Sequence, residues 1–144
     1  MVDTEPIVTN SDICRAFGLL DTTTIKAVAI IQDDTIIGYY LNTGLHIAAH
    51  DGKEGAEEEK DFNIRLESAL RSVGRSIISS CSSNQDIFGK TLYTIMHSHQ
   101  IDISAFLMPN SASPVRVFAV ASIASADCNS VLQMVIEYLN KIKE

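Results

Sequence analysis

Residues 62–80 read FNIRLESALRSVGRSIISS, and their pattern organises the rest of the chain. Apolar residues recur at spacings of three and four, which is typical of an α-helix buried along one side. The apolar stripe consists of Phe62, Leu66, Ala69, Leu70, Val73 and Ile77. It predicts a helix from about residue 59 to 81, on the order of 30 Å long.

Two apolar runs before this helix predict a β-hairpin. Residues 25–31 (IKAVAII) and 36–41 (IIGYYL) are rich in strand-forming residues, and Asp33 and Asp34 supply a turn between them. A short helix is expected before the hairpin, capped by Ser11 or Asn10. Its apolar positions are Ile13, Ala16, Phe17 and Leu20.

Three strands and a last helix are predicted after the central helix, which the serine-rich stretch ending at Asn84 should terminate. The strands are expected at residues 90–97, 101–107 and 115–123. Ser125 or Asp127 should cap the final helix. Its apolar stripe is Val131, Leu132, Val135, Ile136, Leu139 and Ile142.

The element order is therefore α-β-β-α-β-β-β-α, which predicts an α/β fold of the α+β type. Short links between neighbouring strands favour a five-stranded, mostly antiparallel sheet. The long helix should cover one face of this sheet and the two terminal helices the other, because every apolar stripe then has a partner. Residues 1–10 are expected to be a flexible N-terminus and residues 11–144 a single domain.

The composition argues against several classes of function. The 144 residues carry a net charge of −7, whereas nucleic-acid binding needs clustered Lys and Arg. No apolar run is long enough to insert into a membrane, and the first residues lack the pattern of a signal peptide. Cys14, Cys81 and Cys128 are few and scattered, which favours a reduced, cytoplasmic location.

The sequence contains no motif typical of catalysis or metal binding. Residues 88–91 (FGKT) end like a phosphate loop, but position 84 is Asn where that motif needs Gly. His97 and His99, like His46 and His50, have no further ligands nearby in sequence. We therefore expect no catalytic residue, no cofactor and no metal, and predict that the chain is not an enzyme.

Three stretches resemble the roadblock family of dynein-light-chain-like, small-GTPase-associated domains, over roughly residues 11–143. They are IIGYYL, FNIRLESALRSVGRSIISS and VRVFAVASIASADCNSVLQMVIEYLNKIK. The chain departs from the family in having no glycine in the first hairpin turn, and in its long loop at residues 42–60, whose role is open. The resemblance implies a dimer of the chain with itself or a paralogue, with central helices side by side and the following strands paired. It also implies binding of a Ras-like small GTPase.

One side of the central helix independently suggests such an interface, because its side chains are small. Small residues let a second helix approach closely, and a mid-helix glycine costs about 1 kcal/mol against alanine and usually has a packing reason. The predicted helix residues are Arg65, Ser68, Ser72, Gly74, Arg75, Ser76 and Ser79. If the following strand lies at an open edge, it contributes Lys90, Thr91, Tyr93 and Thr94.

Other interpretations remain open at this point. The serines and arginines equally suit an ordinary solvated face, and pairing of the strand after the central helix on both sides within the sheet is an alternative. A profilin-like actin-monomer binder shares the element order, although its aromatic platform would have only Phe17 and Tyr138. A small-molecule-sensing domain of longin or profilin architecture is a further alternative. The sequence does not distinguish a homodimer from a heterodimer, or say whether GTP hydrolysis or exchange is affected.

Overall fold

The computed structural model describes residues 9–44, 56–88, 93–98, 100–108, 116–124 and 127–142, with side chains of the long helix described for 63–79. The predicted element order is confirmed. The elements are α1 (Asn10–Gly18), β1 (Ile25–Gln32), β2 (Thr35–Leu41), α2 (Ala56–Phe88), β3 (Tyr93–His97), β4 (Ile101–Leu107), β5 (Arg116–Ile123) and α3 (Cys128–Ile142).

The five strands form one antiparallel sheet in the order β2-β1-β5-β4-β3. Strands β1 and β5 are central and almost entirely buried, which accounts for their nearly continuous apolar sequences. The first hairpin and the last three strands are thus joined by pairing β1 with β5. Strands β2 and β3 lie at the two edges.

Helix α2 covers one face of the sheet, as predicted. Its buried side chains Leu66, Leu70, Val73 and Ile77 pack on a face that is rich in alanine. Ala29, Ala119 and Ala105 lie side by side across β1, β5 and β4. The sheet-side members of this layer are Ala27, Ala29, Ile31, Ile101, Ile103, Ala105, Val117, Ala119 and Ala121. Because most are small, α2 approaches the strands closely.

Helices α1 and α3 cover the opposite face, where the sheet supplies larger side chains. Phe17 of α1 is fully buried, with its ring 5.4 Å from Phe118 of β5 and 5.2 Å from Tyr138 of α3. The Tyr138 hydroxyl donates to the carbonyl of Ile13 at 2.7 Å. This layer consists of Cys14, Phe17, Ile25, Val28, Ile30, Phe106, Phe118, Val120, Val131, Leu132, Val135 and Leu139.

Several predicted boundaries were wrong. The N-cap of α1 is Thr9, whose side chain accepts from the N–H of Asp12 in a capping box, rather than Ser11 or Asn10. Helix α2 runs to Phe88 instead of stopping near residue 81, because Ser and Cys are only weakly unfavourable in a helix and do not terminate it alone. Asp127 is confirmed as the cap of α3, since its carboxylate accepts from the N–H of Asn129.

The turn between β1 and β2 needs no glycine. Asp33 and Asp34 adopt φ angles of 50° and 65°, and Gln32 pairs directly with Thr35. Two left-handed residues in a two-residue loop give the hairpin turn whose twist suits the flanking strands, and Asp tolerates this region better than most residues. The first departure from the roadblock pattern is therefore compatible with the same hairpin.

The opposite end of this hairpin is fixed by a buried polar cluster. Lys26 is buried, and its ammonium donates to the carbonyl of Asn42 at 3.0 Å. The Asn42 amide donates in turn to the carbonyls of Thr22, at 2.8 Å, and Ile25, at 3.3 Å. This cluster holds the end of β2 against the segment that enters β1.

Candidate interaction surface

Strand β3 forms an open edge of the sheet in the part of the chain that the structure describes. Its five residues pair with β4 in continuous register, from Tyr93 opposite Phe106 to His97 opposite Asp102. No described strand lies on its other side. The interpretation in which this strand pairs on both sides within the sheet is therefore excluded for the described residues. An open edge presents backbone donors and acceptors to another strand.

Strand β2, at the opposite edge, is covered by the first turn of α1. The N–H of Tyr39 donates to the Ser11 hydroxyl oxygen at 3.3 Å. A methyl group on Gly38 would lie only 2.6 Å from the carbonyl carbon of Asn10. The register also shifts beside Ile37, which has no partner on β1 and forms a β-bulge. The two edges of the sheet are thus physically different.

The outward side of α2 carries the small and basic residues that the sequence singled out. The exposed members are Arg65, Ser68, Ser72, Arg75, Ser76 and Ser79. Two large apolar side chains are exposed on the same helix: Ile64, at 58%, and Ile78, at 37%. Sequence inspection missed both isoleucines, because they lie off the apolar stripe, although two residues four turns apart share one side of a helix.

Gly74 does not belong to that outward side, and its predicted placement there was wrong. It is buried against the sheet, where a methyl group would lie 3.1 Å from Cδ1 of Ile31 and 3.8 Å from Cγ1 of Val117. The packing reason expected for a mid-helix glycine exists, but the neighbour is the sheet of the same chain. Its contacts supply no argument for a second helix.

The contacts of α2 indicate which way its serine side faces. A methyl group on Gly74 would meet Ile31 of β1 and Val117 of β5, and the Glu67 carboxylate is close enough to Tyr39 of β2 to raise the pKa of that phenol. This side of the helix therefore faces the sheet, on the side of the β1–β2 hairpin. Ser72 and Ser76 are two residues from Gly74 in either direction, which puts them about 160° around the helix. They therefore lie on the side of the helix opposite to Gly74, facing away from the hairpin, and both are exposed.

Arg75 reaches from α2 to the hairpin turn. Its guanidinium lies 2.7 Å from the carboxylate of Asp34, and both side chains are more than half exposed. An exposed ion pair of this kind contributes about 0–1 kcal/mol to stability.

Burial and the Glu67 carboxylate raise the pKa of Tyr39 to about 12, so this phenol stays neutral at physiological pH.

The predicted strand residues are only partly placed. Tyr93 is 40% exposed, with its ring 5.7 Å from that of Phe106, and Thr94 is half-buried. Lys90 and Thr91 lie outside the described residues. Met96, which sequence inspection missed, is exposed at this edge opposite Ile103, on the side of the sheet that α2 covers.

Chemical sites are sparse among the described residues, which contain no group of three His, Cys, Asp or Glu suited to a metal ion. The exposed His97 imidazole lies 3.2 Å from the nearly buried carboxylate of Asp102. Burial raises the pKa of the Cys14 thiol to about 12, which makes it unreactive. His46, His50, Cys81 and His99 lie outside the side chains described. None of the described helices combines the length and hydropathy that a membrane span requires.

Solved structures with a similar fold include roadblock-type proteins. MglB of Myxococcus xanthus gives a TM-score of 0.62 at 10% identity, covering 99% of this chain and 91% of that chain. A Roadblock/LC7 domain from Streptomyces avermitilis gives 0.52 at 13% identity, covering 92% and 93%. MglC of Myxococcus xanthus gives 0.55 at 9% identity, covering 90% and 92%. These likenesses show a common fold. No protein-family model and no curated protein matches the sequence.

Proposed function

We propose that this chain, which has the fold of roadblock domains, is a non-catalytic interaction module that forms a dimer and binds a Ras-like small GTPase. The observation that carries the proposal is the edge of β3, which no described strand pairs; the exposed serines of α2 add a surface of small side chains to the same molecule. The partner in the dimer is a second copy or a paralogue.

Both parts of this surface suit association through a two-fold axis. Pairing β3 with the same strand of a second molecule would give partners to the backbone groups that no described strand satisfies, and would extend the two sheets into one. The serines of α2 would let the second α2 approach without large side chains between the two backbones. A two-fold arrangement uses the same patch on both molecules, so one surface is sufficient.

The GTPase is proposed from the roadblock resemblance. The similar solved structures include a gliding protein, MglB of Thermus thermophilus, and an MglB with a tetrameric arrangement. Assembly beyond one chain is therefore recorded for a protein of this fold. After the pairing proposed above, the outermost side of α2, including Ile64 and Arg75, would remain available to a further partner.

The dimer is tested by sedimentation velocity of the wild type and of a Ser72→Trp, Ser76→Trp double variant. Both serines are exposed, so the variant should fold normally while its indoles separate the helices. We expect a dimer in the wild type and a dimer dissociation constant raised at least about tenfold in the variant. A Gln133→Trp variant, on the exposed side of α3, is the matched control and should stay dimeric. A wild type that is monomeric at tens of micromolar would contradict the dimer.

The GTPase is tested separately by measuring binding to a panel of Ras-like GTPases loaded with GDP or a non-hydrolysable GTP analogue. Preference for one nucleotide state is the expected result, and GTP hydrolysis rates with and without the chain show whether turnover changes. Absence of binding across the panel would contradict this half of the proposal.

The profilin-like alternative is less well supported by the terminal helices. Phe17 is fully buried beneath the helices, and Tyr138 donates its hydroxyl to the backbone of α1. Neither offers an exposed ring for a proline-rich ligand in the described part of the chain. Co-sedimentation with actin provides the comparison, and binding there without GTPase binding would favour the alternative.

A further inference from the structure

The outer edge of β2 has a specific cover, whereas no described strand pairs with the outer edge of β3. Tyr39 directs its backbone N–H away from β1 to the Ser11 hydroxyl oxygen, 3.3 Å away. The backbone of Asn10 lies directly over Gly38, and the bulge at Ile37 interrupts the regular ladder. Bulges and covering helices are known ways of protecting an exposed strand from pairing with other chains.

We infer that the first turn of α1 is an edge guard, a segment that keeps β2 from pairing with a strand of another molecule. An added strand would need the N–H of Tyr39 as a donor and the space that Asn10 and Ser11 occupy. Both are taken by the chain itself. The guard is a property of the isolated chain and does not require any partner.

The guard limits assembly when it is combined with the proposed function. A sheet with two open edges can add molecules at both ends without closing, which leads to filaments. A sheet open only at β3 pairs once and is then complete. Strand-mediated association of this chain therefore stops at two molecules, a conclusion that rests on the proposed dimer.

The first experiment measures hydrogen exchange of the Tyr39 amide in the wild type and two Ser11 variants. Ser11→Ala removes the acceptor, and loss of one hydrogen bond should speed exchange on the order of five- to tenfold. Ser11→Thr keeps a hydroxyl at the same position and should restore slow exchange. Equal rates in all three proteins would overturn the guard, because Ser11 would then not hold this edge.

The second experiment displaces the guard and measures assembly size. In Gly38→Ala the new methyl group meets the Asn10 backbone at 2.6 Å and should lift the first turn from β2. Gly44→Ala is the matched control, because its methyl group would meet only Oδ1 of Asn42, at an ordinary 3.4 Å. We expect species larger than the wild type in sedimentation velocity for Gly38→Ala and none for the control.

A second variant displaces the first turn of α1 by another route, in case circular dichroism shows that Gly38→Ala does not fold. Thr9→Ala combined with Ser11→Ala removes the capping box and the acceptor, so the first turn should fray without a steric clash. Fast Tyr39 exchange with no increase in size in this variant would overturn the guard. So would a wild type whose Tyr39 amide gains protection as concentration rises.

These outcomes separate the guard from the proposed dimer. A monomeric wild type refutes the dimer, yet the guard still predicts that displacing α1 makes the chain associate through β2. A dimeric wild type that remains dimeric in both displaced variants refutes the guard and leaves the β3 contact standing.

Discussion

Gly74 lies where α2 leaves little room for a side chain above the sheet. We expect Gly74→Leu to lower the free energy of unfolding by about 1–3 kcal/mol, because the added side chain overfills the space beside Ile31. Urea denaturation checks this, and Ser68→Leu, on the exposed side of the same helix, is the control. A Gly74 variant as stable as the Ser68 variant would show that the helix can move away without cost.

Cys14 gives a pH dependence whose sign follows from its burial. The folded thiol has its pKa raised from 9.0 to about 12, so the unfolded chain loses this proton first as pH rises. Stability is therefore lost between about pH 9 and 12. Urea denaturation at several pH values should show a shallower decline in Cys14→Ala than in the wild type. Tyr39 remains in both proteins, so its contribution cancels, and parallel declines would refute the assignment.

The burial of individual polar residues in the sheet could not be predicted from the sequence. Asp102 and Ser104 alternate with apolar residues in β4, yet both are buried, because the terminal helices cover the face on which they lie. The sequence of one strand shows that polar and apolar residues alternate, but it does not show which faces of the sheet are covered by helices. Likewise, the sequence shows that Gly74 needs a packing reason, whereas only the fold identifies the sheet as its neighbour.

At the scale of elements, α1 and α3 are tied by a hydrogen bond between residues 125 positions apart. Tyr138→Phe removes the hydroxyl that donates to the Ile13 carbonyl, and should cost about 1 kcal/mol of unfolding free energy. Urea denaturation measures the loss. Combining Tyr138→Phe with Phe17→Leu reports whether the hydrogen bond and the aromatic contact are coupled, since strictly additive losses would indicate independent roles.

Element types and order were predictable because the apolar patterns are strong: the continuous run of β1 and the stripe of α2 allow few alternatives. The residues at which helices end were less predictable. The serine-rich stretch after Ile77 has no strong breaker, so α2 continues to Phe88. The cover over β2 was not predictable, since Ser11 and Tyr39 lie 28 residues apart and no local pattern links a helix N-terminus to a strand edge.

For the whole molecule, the proposed dimer predicts that thermal stability rises with protein concentration. A partner that binds only the folded state adds to its apparent stability by mass action. The wild-type melting temperature should increase when the concentration is raised from micromolar to submillimolar, as measured by scanning calorimetry. The Ser72→Trp, Ser76→Trp variant should show a smaller increase. A wild-type melting temperature that does not change with concentration would contradict the dimer.

The alanine-rich face beneath α2 has a consequence for how sequence change is tolerated. In that layer the bulk comes from the helix, so saturation mutagenesis should find Ala29 and Ala119 intolerant of larger residues while Leu70 is intolerant of smaller ones. On the opposite face of the sheet the large side chains come from the strands, so Phe118 should be intolerant of smaller residues. Sequences selected only for folding should therefore keep small residues on the α2 face of the sheet and large residues on the opposite face. This difference in side-chain volume should persist even after most residue identities have changed.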